Sequence, residues 1–301
     1  MTISRAQLAK ELEPGLNALF GLEYDRYTDE AAEIFDAEGS DRAFEEEVML
    51  SGFGTAPVKS EGSAINFDNA QETYTARYTM ETIALAFSIT EEAVEDNLYD
   101  KLATRYTRAL ARSMAQTRQI KGATILNNAF STASPIGDGA ALCSAAHPSL
   151  SGNQNNLLTV PADLNETSLE DMLIQIAGFT DERGLKIAVR GTKLLIPKEL
   201  QFIAERIINS NLRSGTADND INAMKSMGML PEGAVVNHFF TDPDAYFIKT
   251  DCPNGFKVFN RTPLTTGTEG DFDTGNLRFK ARERYAFGVS DWRCVFGTPG
   301  A

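Results

Sequence analysis

Apolar residues change their spacing several times along this chain, and each change predicts a new element. In the first 40 residues Leu8, Leu12, Leu16, Leu19 and Phe20 stand amid charge with a weak helical period, broken by Pro14 and Gly15. That pattern predicts an arm lying on another surface. From Asp41 to Thr90 the period shortens to two, the signature of strands. Tyr74, Ala76, Tyr78 and Met80 alternate, as do Ile83, Leu85, Phe87 and Ile89, and "FEEEVMLSGFGTAPVKSEGSAINFD" precedes them with Gly52, Gly54, Pro57 and Gly62. Two long strands joined by a Gly- and Ser-bearing loop make a hairpin. A lone hairpin is marginal in water, so this one needs a partner surface.

Thr90 occupies an N-cap position, with Glu91 and Glu92 where a helix dipole favours anions. Val94, Leu98, Leu102, Tyr106, Leu110 and Met114 then recur every fourth residue, so a helix is expected to run to about Phe130, bent or ended near Gly122. Lys101, Arg105, Arg108 and Arg112 share one of its faces. They form either a solvated face or a docking stripe for acidic segments, such as the arm or a hairpin of another copy. Beyond Pro135 a loop-rich region leads to a capping box read at Thr167–Glu170, with Leu169, Met172, Leu173, Ile176 and Ala177 as the buried helix face. "LKIAVRGTKLLI" reads as two short strands and Pro197 as the first position of another helix, with Leu200, Ile203, Ala204, Ile207 and Ile208 inward. Short strands follow at Val235–Phe240, Tyr246–Lys249 and Phe256–Phe259, completing a compact α+β unit over about 165–275. The closing stretch "NLRFKARERYAFGVSDWRCVFG" is strand-like again and is expected to return beside the long helix.

Composition narrows what such a chain does. The 301 residues carry a net charge of -14, and residues 1–47 hold 13 acidic against four basic side chains. A protein that grips nucleic acid shows the opposite balance. No run approaches the roughly 20 apolar residues of a membrane span, and no signal-peptide core is present, so the chain is expected to be made and used without entering a membrane. Three separated cysteines fit reduced thiols.

Cys143 and His147, four residues apart in "ALCSAAHPS", are the one hint of chemistry. A zinc site needs further ligands, and the only other histidine is His238. A cysteine nucleophile needs a base held by a third group, which nothing in the sequence specifies. The plainer reading is a turn before Pro148. P-loop, dinucleotide-binding, G-x-S-x-G and H-E-x-x-H motifs are all missing. The chain is read as no enzyme, with no cofactor and no metal.

The order of elements resembles the major capsid proteins of tailed bacteriophages, with their Hong Kong 97-like α+β fold, and within them the Mu-like major head subunit family. The runs "GFGTAPVKSEGSAINFD", "FSITEEAVEDNLYDKLATRYTRALARSMAQT", "GDGAALCSAAHPS", "FTDERGLKIAVRGTKLLIPKELQF", "DNDINAM" and "EGDFDTGNLRFKARERYAFGVSDWR" carry the likeness. The resemblance implies an N-arm at 1–40, an E-loop at 41–89 and a peripheral domain with a spine helix at 90–164. It further implies an axial domain at 165–275 and a return strand of the peripheral domain at 276–301. The implied function is self-assembly as hexamers and pentamers into an icosahedral head enclosing double-stranded DNA without sequence-specific binding. Portal, scaffolding and decoration proteins would be partners and the virion the destination, after synthesis in the host cytoplasm.

Physics favours the same reading. A hairpin laid across a neighbour gains about 25 cal/mol for each Å² of apolar area it buries, and many modest contacts close a durable lattice. An acidic container does not hold the DNA that slides into it. Candidate contacts between copies are Lys59, Glu61, Lys101, Arg105, Arg108 and Arg112. Some related shells cross-link through an E-loop lysine; Lys59 lies beside Glu61, but the asparagine and carboxylate for such a bond are not identifiable. Other members carry a long scaffolding segment, which here is expected from a separate protein or from a segment outside this sequence. The alternatives are an encapsulin-like compartment shell and, as an outsider, a cysteine hydrolase using Cys143.

Overall fold

The computed structural model describes residues 17–90, 92, 99–212, 221–271 and 275–301, with 99–102 as backbone only. In chain order its elements are β1 (Asp36–Gly39), β2 (Phe44–Leu50), β3 (Glu72–Thr79), β4 (Glu81–Ile89), α1 (Tyr99–Asn127), α2 (Glu166–Ala177) and β5 (Gly191–Pro197). There follow α3 (Gln201–Asn209), α4 (Ala223–Met227), β6 (Ala234–Asn237), β7 (Tyr246–Thr250), β8 (Phe256–Gly270), β9 (Leu277–Val289) and β10 (Val295–Thr298). Residues 17–24 are also helical. The chain divides into two compact units. The first takes the described residues up to Phe44, Thr79–Gly122 and Val258–Ala286; the second takes Glu45–Tyr78, Ala123–Lys257 and Phe287–Ala301.

In the first unit the sheet order is β1-β8-β9-β4, and β4 runs antiparallel to β9 from Glu81↔Tyr285 to Ile89↔Leu277. Phe279, Ala281, Glu283 and Tyr285 alternate inward along β9, the period-two pattern of a sheet with one covered face. Phe279 and Ala281 pack with Ile89, Phe20 and the α1 residues Ala103, Leu110, Ala111 and Met114. The buried stripe of α1 is thus not the strict every-fourth line: Tyr106 is half exposed, while Ala103, Thr107 and Ala111 are buried. At 3.6 residues per turn, a spacing of four drifts around the helix, and only part of such a line can face one sheet. The helix passes Gly122 and ends at Asn127. Thr90, read as the helix start, is described, and residue 92 is helical, while Glu91, Val94 and Leu98 fall outside the described residues.

The arm, from residue 17 on, lies on its own chain. Phe20 is buried against Tyr24 and Phe279, Ile34 and Phe35 are buried, and the Ala31 amide donates to Gln119 Oε1 at 2.9 Å.

The second unit holds a mixed sheet of order β10-β7-β5-β6, with β5 parallel to β6 and antiparallel to β7. β5 is buried along nearly its whole length, as the apolar run Leu194–Ile196 requires of an inner strand. Leu169, Met172, Leu173 and Ile176 of α2 join Leu194, Ile196, Tyr246, Ile248, Trp292 and Phe296 in one core, whereas Ala177 is exposed. The capping box sits two residues earlier than the sequence suggested. Asn165 accepts from the Ser168 amide at 2.8 Å and the Ser168 hydroxyl accepts from the Asn165 amide at 3.1 Å, so a serine fills the place usually held by Glu or Gln. Pro197 ends β5 and a short 3-10 turn, Lys198–Leu200, precedes α3, which buries Ala204 and Ile207 and leaves Ile203 outward. Residues 185–190 form no strand, with Ala188 at φ 52.

The closing stretch splits between the two sheets. β9 pairs with β4, then Asp291 caps the turn Trp292–Cys294 and β10 joins β7. β8 is also far longer than the four apolar residues that betray it in the sequence. β2 and β3 form a separate two-stranded sheet, with residues 51–71 as the loop between them.

Candidate assembly surfaces

The loop 51–71 in the second unit is anchored at its base and apolar at its tip. Gly54 N–H donates to Asp68 Oδ2 at 2.7 Å, Gln71 N–H to Ser51 Oγ at 3.0 Å, and the Arg183 guanidinium reaches the Asn69 carbonyl and lies 3.6 Å from Asp68. The Gly54 and Asn69 amides hold the Asp68 carboxyl below the ordinary carboxylate range. Gly52 and Gly62 take φ of 66° and 79°, which suits glycine in the tight turns here. Beyond the anchor, Val58 is 99% and Phe67 97% exposed, with Phe53 and Ile65 also outward. Lys59 and Glu61 are exposed and form no ion pair among the described residues. The β2–β3 pair is fixed to the rest of its unit by a partly buried network in which Glu47 takes Lys257 on one oxygen and Ser290 on the other, while Tyr78 bonds Ser290.

In the first unit, α1 presents Arg105, Arg108 and Arg112 outward; the side chain of Lys101 lies outside what is described. Arg108 stands 3.8 Å from Glu23, and Glu23 is also 3.6 Å from Arg26. One member of the stripe therefore meets the chain's own arm. Arg105 and Arg112 have no ion pair among the described residues, and Arg112 lines a hollow of about 390 Å³ with Glu23, Tyr27 and Arg108.

A second charged group of that unit was not legible in sequence. Arg118 lies 3.8 Å from Asp29, 4.0 Å from Glu283 and 4.8 Å from the Tyr285 ring centroid. Burial pushes the Glu283 carboxyl up to about 7, with Arg118 drawing it down and Asp29 adding to the rise. Folded Glu283 holds its proton where the unfolded side chain has lost it, so stability falls as pH rises between about 4.5 and 7. Glu283→Gln is expected to raise stability by about 1–2 kcal/mol at pH 8 and to change little at pH 4, read by urea unfolding at both pH values.

Cys143 and His147 are not a reacting pair. His147 is fully buried; Nδ1 lies 2.6 Å from Asp138 Oδ2, Nε2 lies 3.0 Å from Asn156 Oδ1, and the ring stacks on Trp292 at 4.4 Å. Cys143 is buried, which pushes its thiol up and keeps it protonated. Asn156, which sequence reasoning passed over, ties the loop together. Its Nδ2 donates to the carbonyls of Leu142, Trp292 and Val295 at 2.7, 3.2 and 3.1 Å, and its Oδ1 also accepts from Ser144 N–H at 2.8 Å. The arrangement braces a loop and offers no route to a substrate.

The fold is the Hong Kong 97-like fold of phage capsid structures. It is similar to the capsid of an empty GTA particle, with a TM-score of 0.60 and 13% identity over 92% of this chain and 91% of that one. The capsid of Myoviridae phage XM1 gives 0.53 and 13% over 89% of each chain. A virus-like particle from Pyrococcus furiosus gives 0.54 and 10% over 94% of this chain and 97% of that one. No curated protein matches in sequence. A family model described as phage capsid protein matches residues 73–297. The chain belongs to the phage capsid protein family, and its family and fold are those of structural proteins.

Proposed function

We propose that this chain is the major capsid protein of a tailed bacteriophage, assembling as hexamers and pentamers into an icosahedral head that encloses double-stranded DNA. The observation that carries the reading is the loop 51–71, whose Val58 and Phe67 are almost wholly exposed while its base is firmly anchored. Apolar side chains held out on an ordered base suit a neighbouring copy as their cover. In this reading residues 1–40 are the N-arm, 41–89 the E-loop, 90–164 the peripheral domain, 165–275 the axial domain and 276–301 the return strand. Lys59, Glu61, Lys101, Arg105 and Arg112 face other copies, and Arg108 is shared with the arm. Portal, scaffolding and decoration proteins complete the virion around it. The chain catalyses nothing: neither Cys143 nor His147 is available as a reactive group.

The likeness to a virus-like particle supports a second reading, a shell that encloses cargo other than DNA. Electron microscopy and sedimentation velocity of the purified chain, alone and co-expressed with a scaffolding protein, test the first. Closed shells or capsomer rings are expected, and DNA recovered from particles made in infected cells separates the two readings. Val58→Ser/Phe67→Ser should cut the yield of shells at least tenfold without shifting the melting temperature of the unassembled chain. Full assembly of that variant would remove the loop from the interface.

A further inference from the structure

The sheet β1-β8-β9-β4 of the first unit turns one face to α1 and the arm, and its other face is basic. Because Phe279, Ala281, Glu283 and Tyr285 point inward along β9, Lys280, Arg282 and Arg284 point outward, with about 7 Å between successive side chains. Their partners across β4 are Ala86, Ala84 and Thr82, small uncharged residues that are all exposed. On the β8 side a Cβ at Gly267 would lie 3.4 Å from Lys280 Cε, and Thr265 Oγ1 donates to the Arg282 carbonyl at 3.1 Å. Asn260 turns inward, accepting from Arg118 Nη2 at 3.1 Å, which sends the next residue, Arg261, to the outward face. Only Arg278, at one end of the row, is taken by an acid, Asp271 at 2.5 Å. Arg261, Lys280, Arg282 and Arg284 form no ion pair among the described residues. Four such cations on one open face stand apart in a chain of net charge -14.

Residues 41–72 have the opposite balance, seven Asp and Glu against one Arg and one Lys. Glu46, Glu47 and Asp68 are engaged within the chain by Arg77, Lys257 and Arg183, whereas Glu61 is exposed and unpaired among the described residues, in the same loop as the bare Val58 and Phe67. Guanidinium groups pair with carboxylates by two parallel hydrogen bonds, and complementary charge fixes the register of a contact. The exposed Ala84, Ala86 and Pro263 give an apolar ground between the cations. Duplex DNA would meet the cations but leave Val58 and Phe67 bare, and the net negative charge opposes its approach. A second copy brings the acid and the apolar area on one loop. We propose that the outward face of β9, through Lys280 and Arg282 above all, receives segment 41–72 of a second copy, with Glu61 foremost among the carboxylates it meets. The proposal rests on the reading that another copy covers loop 51–71, and it names the surface that does so.

Isotope-labelled and unlabelled chains, mixed, left to associate and treated with a carbodiimide that joins amines to carboxylates, test this by mass spectrometry of peptides that unite the two labels. Lys280 is expected to be joined to a carboxylate of residues 41–72, Glu61 first. Links between copies that leave Lys280 out, or that take it only to acids elsewhere, would overturn the proposal. Lys280→Glu/Arg282→Glu, at two exposed positions, should cut association about tenfold or more without shifting the melting temperature of the unassembled chain. Mixing that variant with Glu61→Lys should restore a good part of the association. Association equal to the parent's, or no gain on mixing, tells against the contact. Duplex DNA, followed by fluorescence anisotropy, is expected to bind the unassembled parent no more tightly than the double variant; binding lost in the variant would assign the face to phosphates instead. The two readings fail separately: shells formed equally by parent and variant sink this proposal alone, and a parent chain that never associates sinks both.

Discussion

Asn156→Ala is expected to destabilise the unassembled chain by about 4 kcal/mol or more, enough to leave little folded protein. Asn156 is fully buried and serves five partners, three carbonyls through Nδ2 and the Ser144 amide and His147 through Oδ1. Each buried group left without its bond costs about 1–3 kcal/mol. The carbonyls of Trp292 and Val295 belong to the segment that leads into β10, so the loss spreads from the loop to the sheet edge. Asn156→Asp should fare no better, because a carboxylate would set oxygen against three carbonyl oxygens. Chemical denaturation of the soluble fraction measures the effect; a loss below about 1 kcal/mol would mean that water takes over the role of the side chain.

The second large effect is expected at Arg293. The residue is 2% exposed, and its guanidinium donates to Glu182 at 2.8 Å, Asp291 at 3.2 Å and the Thr180 carbonyl at 2.8 Å and lies 4.3 Å from the Trp292 ring centroid. Arg293→Met keeps the volume but strands two buried carboxylates, at a cost of about 3–5 kcal/mol. The double variant Arg293→Met/Glu182→Gln should recover a good part of that loss, since one stranded charge is gone. Strict additivity of the two substitutions in a double-mutant cycle would show that Arg293 and Glu182 do not interact.

Periodic features were the ones legible in sequence. Alternation along β3 and β4 marked strands, the glycines between β2 and β3 marked the loop, and the run of apolar residues marked β5. What failed had a physical cause in each case. The continuation of β8 past Phe259 is hidden because "NRTPLTTGTEG" is only partly buried and contains Pro263 and Gly267, residues that usually argue against a strand. The capping box was misplaced because Ser168 can do with a hydroxyl what a longer carboxylate does elsewhere. Asn156 lies in a stretch without periodicity, and a side chain whose partners are distant backbone carbonyls leaves no local signal. Cys143 and His147 drew attention by nearness in sequence, while the groups that bond the imidazole, Asp138 and Asn156, each lie nine residues away from it. Of the proposed contact residues, the sequence showed which carry charge but not that Arg108 would be engaged by Glu23.

The way the chain passes back and forth between its two units governs when it becomes usable. The first unit is drawn from three separate stretches, and β4 acquires its neighbour β9 only through residues 277–289. During translation the earlier stretches therefore leave the ribosome with their sheet unfinished, and the unit cannot close before the codons through Ala286 have been read. A polypeptide broken off earlier lacks that strand and the surface built on it.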